Sequence, residues 1–121
     1  MKALNPMSFV VLAGLMACAT VPVPADKLSR SQAAVRSAEE MNARAEPAAA
    51  MHLRLANEQI ARAKQLLANG DNERAASVLL RAEADADAAR ELARKHAARV
   101  EADTAKQNIE QMKQSMGGPK S

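Results

Sequence analysis

Ala49, Leu53, Ala56, Ile60, Ala63 and Leu67 advance by four, three, four, three and four residues. Only an α-helix places such a set on one face, and the alternation is that of a heptad seam. The seam ends at Asn69-Gly70, where glycine is free to take the positive φ that closes a helix. Asp71 then has the side chain to cap a new helix, and Glu73 suits its positive end. In this third segment Ala75, Leu79, Ala82, Ala86, Ala89, Ala93, Ala97 and Val100 continue the seam. The pattern then slips to Ala98, Ala102, Ala105, Ile109, Met112 and Met116, as at a stutter, before Gly117-Gly118-Pro119 stops it. The short Asn69-Gly70-Asp71 turn makes the two helices antiparallel neighbours.

A first segment precedes these two. Ser29-Arg30-Ser31-Gln32 has capping-box spacing, and Leu28, Ala34, Val35, Ala38, Met41 and Ala45 fall near one face. Pro47 interrupts the run: Glu46 is pushed away from α geometry, while Pro47 suits the first turn of a new helix. Yet the seam passes from Ala45 to Ala49 with almost no change of phase, which a kinked continuous helix also allows. The expected fold is therefore all-α: a helical hairpin or three-helix antiparallel, coiled-coil-like arrangement with a long C-terminal helix. Acids placed four residues before a base, Glu40/Arg44, Glu58/Arg62 and Glu91/Lys95, are expected to pair along the helices.

An alanine seam lets helices approach closely but buries little area per residue, so a monomer should be marginally stable. The third helix also outruns the second. Ile109, Met112 and Met116 are left as an overhang, expected to pack on an envelope protein or a second copy.

The N-terminus carries a different signal. Lys2 is followed by an uncharged apolar run, Phe9 to Ala17, well short of the ~20 residues of a membrane span. It leads to Leu15-Met16-Ala17-Cys18, and Cys18 is the chain's only cysteine. This resembles a bacterial lipobox, with cleavage between Ala17 and Cys18 and acylation of the Cys18 thiol. The chemistry needs a thiol to accept the lipid and small neighbours, Ala17 and Ala19, so that the peptidase can approach. The resulting organisation is a signal peptide over 1–17, the lipidated cysteine and Pro-rich spacer over 18–28, a helical domain over 29–116 and a tail over 117–121. By resemblance to sorting in enteric bacteria, Ala19 in place of aspartate points to the outer membrane, facing the periplasm.

The remaining residues carry little chemistry. His52 and His96 are isolated, with no ligand cluster around either. Glu83, Asp85 and Asp87 read as a solvated face, because residues two apart diverge on a helix. Met112 and Met116 read as apolar contacts rather than soft-metal ligands. There is no phosphate loop, nucleophile elbow or Cys/His cluster. Without the leader's Lys2 the formal charge falls from +3 to +2, and no aromatic residue remains for base stacking. No catalysis, cofactor, metal, nucleic acid or small-molecule substrate is expected.

Two resemblances remain. Ala63-Lys64-Gln65-Leu66-Leu67, Asn69-Gly70-Asp71, Ala75, Leu79, Ala82, Asp85-Ala86 and Ala89, with the lipobox and Glu46-Pro47, look like the short alanine-rich bacterial lipoproteins of domain of unknown function 4398. That resemblance implies an envelope lipoprotein with helical hairpins and supplies no reaction. The helix-turn-helix around Gly70 is also similar to tetratricopeptide repeats, implying a peptide- or protein-binding module as the alternative. Those repeats use several copies and recurring aromatics, which this chain lacks.

Overall fold

A computed structural model describes residues 21–118. Ala17, Cys18 and the rest of the leader lie outside the described residues, as does the end of the tail. The described chain is all-helical. It consists of α1 (Ala25–Glu40), a single 3₁₀ turn (Ala43–Ala45), α2 (Pro47–Ala68) and α3 (Asn72–Met116). No helix among the described residues is long and apolar enough to cross a membrane.

Local chemistry accounts for each boundary. Glu46 is extended, and its carboxylate accepts a hydrogen bond from the Ala49 amide at 2.6 Å. Pro47 fills N1, where no amide hydrogen is needed. At the other end of α2 the Gly70 amide donates to Leu67 O and the Asp71 amide to Leu66 O. That pair of bonds is a Schellman closure, and it requires the positive φ of Gly70, +76°. Asp71 accepts from the Arg74 amide and opens α3. These boundaries match the sequence expectation.

The first helix departs from it. α1 begins at Ala25, so four residues counted with the spacer are helical. Pro24 precedes it, and Asp26 in the first turn offsets the dipole and meets Arg30 at 3.2 Å. Ser31 is not a cap. It is fully buried, its hydroxyl within 2.8 Å of Lys27 O and 3.0 Å of Leu79 O on α3. The break before α2 also comes earlier than Pro47. Asn42 takes left-handed geometry, φ 58°, and ends α1 as asparagine can. Met41 and Ala45, expected on the inner face, are exposed, and Ala43 is buried in their place.

The chain therefore runs as three helices, up, down and up. Val21 lies at Asn72, Ser31 at Leu79 and Met41 near His96, so α1 and α3 are parallel with α2 antiparallel to both. The buried core is Val35, Leu53, Ile60 and Leu79 set among alanines from all three helices. Leu28, Val78 and Leu92 pack at its margin. Small side chains at the seam let backbones come close, and this is what admits the Ser31–Leu79 contact.

Burial along α3 stops at Ala93. Ala97 and Val100 were expected to continue the inner face, but both are exposed. α1 ends and α2 begins at this level, so Ala97 and Val100 meet only the turn between them, along an open cavity bordered by Met41, Asn42 and Ala45. Beyond Glu101, the last residue to border that turn, the final 15 residues of α3 project alone, about 22 Å at 1.5 Å per residue.

Candidate functional site

Two arrangements differ from plain scaffold. The first lies in the groove between α2 and α3. His52 and Gln59 are seven residues apart on α2 and so share a face. Both reach Asp85 of α3. His52 Nδ1 is 2.8 Å from Asp85 Oδ1, and Gln59 Nε2 donates to Asp85 Oδ2 at 2.7 Å. The His52 and Asp85 side chains are 30% and 22% exposed, so the bonds are partly shielded from water. Asp85 is thus an interhelical acceptor rather than part of a solvated face. Its neighbour Asp87 turns outward to Arg90 at 3.4 Å. The amide oxygen of Gln59 is buried with no partner.

Chemically, this network orients two donors on one carboxylate. It fixes the register of α2 against α3, since sliding either helix by a turn breaks both bonds. Among the described residues no three of His, Cys, Asp or Glu converge as metal ligands would. Removing either partner should cost stability through the same contact. His52→Ala and Asp85→Ala, alone and together, are expected to show a coupling on the order of 1 kcal/mol in a denaturant double-mutant cycle. Additive losses would mean that the contact contributes nothing.

His96, the other histidine, sits well away. It lines a shallow cavity of about 350 Å³ with Met41, Ala45, Ala93 and Val100, where α1 turns toward α2. The two histidines do not form one site.

The second arrangement is the projecting end of α3. Ala98, Ala102, Ala105, Ile109, Met112 and Met116 keep the four-three alternation, and every one is exposed. Ile109 is 49% exposed, Met112 55% and Met116 80%. The expected overhang is therefore present and begins earlier than expected. It lies at the end of the bundle opposite the chain's entry. The Val21 carbonyl accepts from Asn72 Nδ2 at 2.7 Å, which ties the N-terminal segment to the start of α3. No periodicity in the sequence announces this bond.

Pairing along the helices also differs from expectation. Glu58 meets Arg54 at 2.8 Å rather than Arg62, Arg44 meets Glu39 at 2.6 Å, and Glu91 meets Arg94 at 2.7 Å. Exposed pairs of this kind are nearly isoenergetic, so sequence spacing does not select among them.

Against known proteins, a family model described as domain of unknown function (DUF4398) matches residues 26–105. The match begins at the first turn of α1 and runs through the bundle into the projecting part of α3. No curated protein and no solved structure matches the chain. The match spans well over half the sequence, and the chain belongs to the DUF4398 family.

Proposed function

We propose that the protein is a cell-envelope lipoprotein: a non-catalytic structural adaptor, tethered through lipid on Cys18 to the periplasmic face of the outer membrane. The observation that carries the reading is the regular, wholly exposed seam from Ala98 to Met116. A single helix bearing such a seam has an unpartnered contact face, and in water that face favours a protein partner or a second copy. Its position supports the same reading. Cys18 precedes Val21 by three residues, at most about 11 Å of chain. Val21 is fixed at the start of α3, and α3 is about 67 Å long at 1.5 Å per residue. A lipid on Cys18 would hold one end of this rod at the membrane and carry the seam outward.

Two or more acyl chains anchor a protein stably, whereas one does so marginally. In cells fed a labelled fatty acid, the wild-type chain should take up label and sediment with membranes. Cys18→Ala should remain an unlabelled, unprocessed precursor. A mature, soluble periplasmic product from Cys18→Ala would sink the lipid-anchor reading.

A further inference from the structure

A cleft of about 370 Å³ opens between α2 and α3 near the Gly70 turn. Gln59 and Arg62 line it from α2, and Arg74, Ser77, Val78 and Arg81 from α3. Three solvent-exposed arginines thus border one depression. Like charges gathered in this way repel unless something neutralises them.

The protein's own acids supply that neutralisation at Arg74 alone. Glu58, one turn before Arg62, is held by Arg54 at 2.8 Å. Asp85, one turn after Arg81, is held by His52 and Gln59. Among the described residues neither Arg62 nor Arg81 has an ion pair, and Arg74 has one exposed contact to Asp71 at 3.2 Å. Guanidinium is the side chain best matched to phosphate, because its planar fork donates two hydrogen bonds at once. The same cleft is lined by Gln59, whose buried amide oxygen lacks a donor, and by the Ser77 hydroxyl. A phosphate there would meet the guanidinium donors and the exposed Ser77 hydroxyl.

The cleft also has a defined place. It lies at the end of the bundle where Val21 is bonded to Asn72, two residues before Arg74. We propose that Arg62, Arg74 and Arg81 form a binding site for a phosphate group of a membrane lipid headgroup. The assignment of the lipid as the source rests on the anchor reading, which brings headgroups to this end. Binding would hold the bundle upright on the bilayer, at a point distinct from the covalent tether.

The test uses the full chain carrying Cys18→Ser, so that no acyl chain contributes. Binding is measured to phosphatidylcholine vesicles with and without phosphatidylglycerol, whose headgroup pairs a phosphate with hydroxyls. A parallel titration with inorganic phosphate is followed by amide and guanidinium NMR shifts. The compared variants are Arg62→Gln/Arg74→Gln/Arg81→Gln and a charge-matched control on the projecting helix, Arg94→Gln/Arg99→Gln/Lys106→Gln. Circular dichroism checks that both remain helical; should the first lose its helices, the three lysine replacements take its place, keeping charge but losing the fork.

The expected result is a preference for phosphatidylglycerol vesicles that falls roughly a hundred-fold in the cleft variant, at about a ten-fold loss or somewhat less per guanidinium. The control should lose little. Equal losses in the two variants would overturn the site, leaving only diffuse charge. Phosphate shifts at the cleft without arginine-dependent vesicle binding would overturn the headgroup assignment in favour of a free anion. Because no lipid is attached, these outcomes are independent of the fatty-acid labelling that tests the anchor.

Discussion

Leu79→Ala is expected to remove most of the stability of the bundle. Leu79 is fully buried and, among the described residues, is the largest side chain to be so. Its neighbours in the core are mostly alanines, which have no side-chain freedom with which to fill a void. Truncating a buried leucine costs about 2–5 kcal/mol, and the upper half of that range applies where the site cannot collapse. The remaining core is small: among the described residues only Pro24, Val35, Leu53 and Ile60 join Leu79 as buried side chains larger than alanine or serine. A loss of this size is comparable with the whole stability of a small domain. The adjacent Leu80 is 50% exposed and provides an internal control. Urea or thermal unfolding followed by circular dichroism should show a large shift for Leu79→Ala and one within about 0.5 kcal/mol for Leu80→Ala. Equal effects would contradict the packing described.

Ile109→Glu combined with Met112→Glu should do the reverse, sparing the fold and abolishing association. Both side chains are exposed and touch nothing in the core. The unfolding transition of the bundle should therefore stay where it is. In an assembly built on the seam each would be buried, at about 1.5–3 kcal/mol apiece. Replacing both by carboxylates removes that gain and adds a desolvation cost. The expected loss of affinity for the partner, or for a second copy, is at least a hundred-fold by sedimentation or pull-down. Unchanged association would place the contact elsewhere.

The parts of this structure legible in the sequence are those set by local chemistry. The four-three spacing from Ala49 to Leu67 admits only a helix. Glu46-Pro47 and Asn69-Gly70-Asp71 carry their turn geometry in their own residue types. The exposed seam could also be read, because its length exceeds anything the second helix could cover. What escaped depends on partners distant in sequence. Ser31 sits inside an expected capping box headed by Ser29, yet the close approach of α1 to α3 makes it a core residue bonded to Leu79 O. Asp85 looks solvated until the register of α2 brings His52 and Gln59 to it. Arg62 has a helical partner in Glu58 on paper, and loses it to Arg54. Asn42 is the one miss with a local signal. Asparagine tolerates left-handed geometry, and its place before Pro47 marks the end of α1.

Val100 shows the limit of periodicity from the other side. A seam states which face of a helix is apolar, but not how far a partner extends along it. Burial ends at Ala93 because only the open turn between α1 and α2 faces the helix beyond it, while the sequence pattern runs on through Ala97 and Val100. The same property gives α3 its second half, a helix patterned for contact and left without one inside the chain.

We propose that this half of α3 is the working surface of a membrane-tethered adaptor. Photo-crosslinking in intact cells tests it most directly. Crosslinking residues are placed singly at Ile109 and Met112 on the seam, and at Gln107 and Gln114 on the opposite face. Discrete adducts from Ile109 and Met112, with little from Gln107 and Gln114, and their loss when Cys18 is replaced by alanine, are the expected result. Adducts spread equally over both faces, or none from any position, would contradict it.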